Sequence, residues 1–314
     1  MAAEPTSHPK AHLLPVTGIL WRTADLTDQG VGHRAIASLV AAGVLVRLRY
    51  GCYVRGSEWE QQPPQWRNMQ IIHAHALATR TTSAGGFRYS HTSGARLHRL
   101  HLWNVDARVH LTQPVRPSKD RHGRDVVCHT GKVAAAEQAL VDGLRTTSLE
   151  RTAVDCCLIL AYRQSLILMD HALRLGADRC LMERMAAGLA GRRGIKNLRR
   201  VLAAADPSSE SPGETLTRDL LVRLNLPMPD AQVEVRTAAG LYRLDFAWRR
   251  EKVALEFDGR TKYFDYQPTE EVLFKERQRE NALIEAGWTF VRITWKDLFD
   301  EGAFKERILS ALGR

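Results

Sequence analysis

Cysteine is scarce in this 314-residue chain. There are five, none in a Cys-x-x-Cys spacing, and Cys156 and Cys157 are neighbours, a poor geometry for holding one metal together. A thiolate zinc site and a disulfide scaffold are therefore not expected. Long apolar runs are missing too. Residues 36–46 and 158–173 are too short or carry charge, and Met1–Lys10 lacks the apolar centre of a signal peptide. The chain is expected to be cytoplasmic and reduced, with no membrane partner. It has no internal repeat, and a hydrophobic share of 44% with 25% charged residues excludes wholesale disorder.

Acidic residues run short only in the first two thirds. From Asp206 onward, 17 Lys and Arg stand against 20 Asp and Glu, a net of −3, whereas the residues before it hold 28 against 15, a net of +13. The basic part is the natural holder of a polyanion, because each phosphate neutralised by Lys or Arg releases condensed counterions. The length suits two or three domains. Two punctuations divide it: Gln61 to Pro64, and the polar stretch 206–213, which reads as a linker. The expected architecture is an α+β / α/β multidomain chain with regions 1–62, 63–205 and 206–314.

In the first region, Thr23 to Gly30 suits a short helix and turn, and Ile36, Leu39 and Val40 recur at helical spacing between Gly32 and Ala42. Val44 to Val54 then alternates apolar and basic residues around Gly51, the pattern of a β-hairpin. Helix plus hairpin suggests a winged helix-turn-helix. His33, Arg34 and Ser38 would face the major groove, and Arg47, Arg49 and Arg55 would meet phosphates. A small helical domain with a solvated basic hairpin fits the same pattern. The run from Ile36 through Tyr53 resembles the N-terminal winged helix of AbiEi-type antitoxins, transcriptional regulators in phage-defence toxin-antitoxin pairs. That resemblance implies duplex DNA as a partner, and a second copy or a toxin-type protein as another.

The middle region is expected to be mixed α/β, with strands near 107–112 and 125–129 and helices from about Lys132 to Leu202. Its Ser90-His91 and Arg151 to Asp155 segments are loosely similar to the same family's C-terminal half. His91, His98, His101, His110 and His129 show no metal-ligand spacing and are read as surface or phosphate-facing groups.

The last region carries the chemistry. A helix from Ser211 to about Asn225 holds Glu214, strands follow at 232–236, 242–248 and 252–257, a charged helix spans 269–286, and a strand at 288–294 precedes a final helix from Lys296 to Leu312. Asp245 and Glu256 lie symmetrically about the turn at Arg250, so antiparallel pairing brings them together. Two carboxylates held close repel unless a cation sits between them, and hard oxygens suit Mg²⁺ or Mn²⁺. Glu214 has a second reading, since Ser211 and Glu214 with Pro212 also spell a helix capping box.

The pieces Leu244-Asp245-Phe246, Val253 to Gly259 with Glu256 and Asp258, Lys275 to Asn281, and Gly287 to Arg292 resemble, in that order, the PD-(D/E)XK nucleases and more closely their very-short-patch-repair-like branch. The resemblance implies an αβββαβ restriction-endonuclease-like core. It also implies Asp245 and Glu256 as ligands of Mg²⁺ or Mn²⁺, the Phe257 carbonyl as a further ligand, and Glu214 as the helix-borne acid. The family's lysine two positions after the glutamate is replaced by Asp258. Lys262 is the first candidate for the missing cation and Arg279 the second; Arg277 and Arg279 equally suit a phosphate path or intrahelical pairs. A metal-dependent DNA endonuclease is the leading expectation. A non-catalytic DNA-binding regulator with a decayed nuclease fold and an RNA-directed nuclease stay open beside it.

Overall fold

The computed structural model describes residues 10–79, 86–115, 123–259 and 270–314, apart from the side chains of Glu270, Val272 and Leu273. The chain divides into two compact units, Met1–Cys156 and Cys157–Arg314.

The first unit opens with β1 (Leu20–Arg22), α1 (Thr23–Asp28), α2 (His33–Ala41), β2 (Leu45–Arg49) and β3 (Cys52–Arg55). Helix α2 buries Ala35, Ile36 and Leu39, three residues on one face, against Trp21, Leu26, Val31, Leu45 and Tyr53. The strands form an antiparallel sheet in the order β1-β3-β2. After α3 (Gly56–Gln61), α4 (Pro64–Thr79) runs from this sheet to a second one. Ile72 of α4 packs with Tyr89, Leu97, Val109 and Leu111 of the second sheet's layer, while the Ala74 carbonyl accepts from Cys52 Sγ of β3 at 3.6 Å. The expected boundary near residue 62 is thus a turn inside one unit.

The second sheet contains β4 (Arg88–Tyr89), β5 (Val109–Gln113), β6 (Val126–Thr130), β7 (Gln138–Val141) and β8 (Leu144–Thr147), in the order β6-β5-β4-β8-β7. Helix α5 (His91–Leu97) follows β4, and α6 (Leu149–Ile159) follows β8. The expectation of helix from Lys132 onward is corrected by the β7–β8 hairpin. Its turn places Asp142 at φ +49° and Gly143 at φ +74°, both left-handed, as a two-residue hairpin loop of the Asp-Gly kind requires.

The second unit begins with three helices, α7 (Tyr162–Arg174), α8 (Arg179–Gly188) and α9 (Ile195–Ala204). Then come α10 (Pro212–Arg223), β9 (Asp230–Thr237), β10 (Gly240–Trp248), β11 (Val253–Phe257), α11 (Glu270–Glu285), β12 (Thr289–Ile293) and α12 (Glu301–Ala311). The sheet order is β12-β11-β10-β9, antiparallel except for β11 and β12. Parallel pairing needs a crossover, and α11 supplies it. A short 3₁₀ turn at Asp297–Phe299 interrupts what was expected to be one last helix.

The stretch 206–213 does not behave as a linker. Asp170 of α7, almost wholly buried, accepts from the Asp206 amide, from Thr215 Oγ1 and from Arg218 Nη2, each at 2.8 Å. Arg218 also donates to the Ala204 carbonyl at 2.7 Å. Burial pushes the Asp170 carboxyl up and Arg218 draws it back, the balance of a buried ion pair. Removing one member of such a pair costs about 3–5 kcal/mol, because the other is left charged and unpartnered. Helices α7 and α9 are therefore bound to α10 within one cooperative body.

Candidate active site

Strand register assembles the acidic site of the second unit. Phe246 pairs with Leu255 across β10 and β11, which sets Asp245 one step further on, level with Glu256. Asp245 Oδ2 accepts from the Phe257 amide at 3.1 Å. On the other side of β10, Leu244 pairs with Val233 and Phe246 with Ala231, so Gln232 of β9 lies level with Asp245. Gln232 takes φ +51°, a left-handed kink in the strand, and its Nε2 donates to Glu214 Oε2 at 3.0 Å.

Glu214 reaches the sheet through the first turn of α10. Ser211 Oγ accepts from the Glu214 amide at 3.2 Å, which is half of a capping box. The Glu214 carboxylate accepts from the Glu210 amide at 2.8 Å and is hydrogen-bonded by the Ser211 side chain as well. The cap therefore holds both the Glu214 backbone and its carboxylate, which Gln232 engages from the sheet. Close approach of α10 to β11 depends on Gly213: a Cβ there would stand 2.0 Å from the Phe257 ring.

Electrostatics follow from burial. Desolvation raises the Asp245 carboxyl to about 6, the charge of Glu214 adds to the rise, and the Phe257 amide and Arg279 oppose it. Glu256 is also raised, first by burial, with Arg279 opposing and Asp245 adding. Glu214 is raised by burial against the Glu210 amide. Three acids thus sit in one field, each held above its ordinary range. Buried acids of this kind cluster where function needs them.

Arg279 of α11 is fully engaged. It forms a two-pronged ion pair with Glu256, meets Glu276 at 2.9 Å and donates to the Arg243 carbonyl at 3.1 Å. Of the two readings of Arg279, its intrahelical pair is present, with Glu276, and Arg279 is in addition the counter-charge of Glu256. Lys262 lies outside the described residues.

The donor set of Asp245, Glu256 and Glu214 consists of hard carboxylate oxygens and fits Mg²⁺ or Mn²⁺ in chemistry. In spacing it is open. Among the described residues, three His, Cys, Asp or Glu ligand atoms lie mutually within 4.8 Å only at His91, His110 and His129, a group that spacing rules passed over. Arg279 keeps Glu276 and the Arg243 carbonyl as partners if Glu256 turns to a cation.

The basic residues assigned to the N-terminal region divide. His33, Arg34 and Ser38 are exposed on α2, and Arg47 is exposed on β2. Arg49 and Arg55 are not phosphate-facing. Arg49 pairs with Asp125, 76 residues away, and only 14% of its side chain is exposed. Arg55 donates to the Pro15 carbonyl at 3.2 Å and lies over the Trp21 ring. A β-bulge between Arg47 and Arg49 separates their fates. All five cysteines are free thiols, and among the described residues no helix is long and apolar enough to cross a membrane.

No family model matches this chain. Two uncharacterized proteins from two strains of Mycobacterium tuberculosis are each 28% identical to it over 282 residues, 88% of this chain and 95% of theirs. The crystal structure of the RV2827C protein from Mycobacterium tuberculosis overlaps 72% of this chain and 85% of its own, at 17% identity and a TM-score of 0.39.

Proposed function

We propose that the second unit is a metal-dependent nuclease that hydrolyses phosphodiester bonds in DNA. The observation that carries this reading is the level placement of Asp245 and Glu256 across β10 and β11, with Glu214 brought alongside from α10 and Asp245 held at about 6. Keeping three acids partly or fully buried in one field costs stability, and no packing need of the sheet explains it. In this reading Asp245 and Glu256, with the Phe257 carbonyl named by resemblance, hold Mg²⁺ or Mn²⁺. The bound cation supplies Lewis-acid stabilisation of phosphate charge and lowers the pKa of attacking water. Glu214, fixed by the Glu210 amide and Gln232, sets the position of its neighbours, and Lys262 is the candidate for contacting the phosphate. His33, Arg34 and Arg47 form the DNA-holding set of the first unit.

A second reading has its own support. The Arg279–Glu256 pair already neutralises one of the acids, which suits a nuclease fold retained as a DNA-binding module in a regulator.

The test is incubation of the full chain with supercoiled plasmid, linear duplex, single-stranded DNA and RNA, in Mg²⁺, Mn²⁺ or excess chelator. Cleavage of DNA that needs the metal and disappears in Glu256→Gln supports the enzyme. Salt-dependent DNA binding without cleavage under every condition supports the regulator. Cleavage that survives chelator overturns the metal mechanism, and cleavage confined to RNA overturns the substrate.

A further inference from the structure

Three histidines that look unrelated in the sequence meet in the first unit. Parallel strands β5 and β6 pair Thr112 with His129, and His110 lies two residues before Thr112, so His110 and His129 project from one face of adjacent strands. His91 joins them from the start of α5, placed by the Ser90 amide, which donates to the His110 carbonyl at 3.1 Å. His91 and His110 are buried and His129 is partly buried.

We infer that His91, His110 and His129 form a binding site for a borderline divalent cation of the Zn²⁺ type, with a fourth position left to water or an anion. The donor set selects the ion class, because imidazole suits Zn²⁺, Co²⁺ and Ni²⁺ and not Mg²⁺. Cys128 is not part of it, being packed into the apolar cluster around Ile72. Three protein ligands describe an open site rather than a closed structural one.

Three observations support the site. His110 Nδ1 and His129 Nε2 lie 3.0 Å apart in a hydrogen bond, whose proton a bound cation would displace. Two ligands of a tetrahedral ion with bonds of about 2.0–2.1 Å stand roughly 3.3 Å from each other. His91 is held from behind: its Nδ1 lies 2.9 Å from Ser90 Oγ, and Ser90 Oγ accepts from Thr112 Oγ1 at 2.8 Å. Donation from Nδ1 to Ser90 leaves His91 Nε2 as the ligand atom, the usual second support of a metal-bound imidazole. Finally, His91 takes φ +48°, a left-handed conformation that a non-glycine residue keeps only when its surroundings enforce it.

Two features set the terms of binding. The His91 and His129 rings are stacked, with centroids 3.5 Å apart and planes inclined by 12°. Ligation has to part this stack. Arg96 and Arg108 add positive charge near His110; Arg108 pairs with the Asp106 carboxylate, Arg96 donates to the Asp106 backbone carbonyl, and the charge of Asp106 offsets theirs.

The test uses the full chain, stripped with chelator, returned to chelator-free buffer and titrated with Co²⁺ while visible absorption and thermal midpoint are followed. Expected are uptake of one equivalent with the intense bands of a four-coordinate ion, a raised midpoint, displacement by Zn²⁺, and no competition from Mg²⁺. His129→Gln, at the most exposed ligand, loses at least about 100-fold in affinity. Absence of a one-equivalent transition in the wild type overturns the site. So does His129→Gln that folds, by its circular dichroism, and binds with unchanged affinity. If His129→Gln does not fold, diethylpyrocarbonate modification of the wild type decides: Zn²⁺ protection of His91, His110 and His129 in peptide maps supports the site, and equal modification with and without Zn²⁺ overturns it.

Discussion

The histidine cluster of the first unit and the acidic cluster of the second experience the same physical force with opposite results. Burial penalises charge in both. It drives His110 and His129 down to about 4 and Asp245 up to about 6, so near neutrality it leaves the imidazoles in the protonation state a cation needs and strains the carboxylate that a cation needs deprotonated. One set is ready for a borderline ion as it stands. The other holds its carboxyls above their ordinary range and pairs Glu256 with Arg279.

The contrast breaks first if Asp245 proves dispensable. Asp245→Asn should lower metal-dependent plasmid cleavage by more than about 10²-fold, at least the loss typical of removing one transition-state donor. In chelator the same substitution should raise the thermal midpoint of the second unit. A carboxyl raised above its unfolded value contributes stability only while protonated, and loses it as pH climbs from about 4 to about 6. A midpoint lowered at pH 7 would show that Asp245 is a structural group.

Next in size is the question of which residue supplies positive charge to phosphate. Lys262→Ala should reduce cleavage on the order of 10²-fold with little loss of DNA affinity. Arg279→Gln should instead release Glu256, lowering the Mn²⁺ concentration for half-maximal rate by about tenfold, or roughly 1.4 kcal/mol. Exchange of these two outcomes would move the catalytic role to Arg279.

Acid separates the clusters with a smaller effect. His110 and His129 have folded values below the unfolded one of about 6.5, so the unfolded chain binds the extra protons between about pH 6.5 and 4 and stability falls as pH falls through that window. The first unit should lose thermal midpoint on acidification from pH 7 to 5, and His129→Gln should lose less. Parallel acid sensitivity of the two proteins would remove His129 from the effect.

Smallest is the contribution of one exposed arginine. Arg47→Ala should weaken binding to all duplex sequences alike and reduce the salt slope by about 1. Arg49→Ala, which breaks the pair with Asp125, should act on stability rather than on that slope.

Local signals were legible in the sequence, and long-range partnerships were not. Symmetry of Asp245 and Glu256 about Arg250 anticipates their level placement, and the apolar spacing in α2 anticipates its buried face. The β7–β8 hairpin carries a readable Asp142-Gly143 signal that the helical expectation overrode. Arg49 misleads because its partner is 76 residues away, and a basic strand looks the same in sequence whether it meets phosphate or Asp125. The histidines come from a helix start and two strands, so no local ligand spacing exists to find. A polar, proline-bearing stretch at 206–213 looked like a tether because the buried Asp170 that grips it lies on another helix.

That grip determines what can be inherited or transplanted as a piece. A fragment starting at Asp206 leaves behind Asp170 and with it the partner of Arg218, whose guanidinium would then sit without the charge it was buried against. A recombination event or proteolytic nick at 206 therefore parts α10 from the carboxylate that holds it, whereas one ahead of Tyr162 keeps α7 and α9 with it. The smallest transferable module of the second unit should thus include α7 to α9, so that any gene fusion reusing its sheet carries these three helices with it.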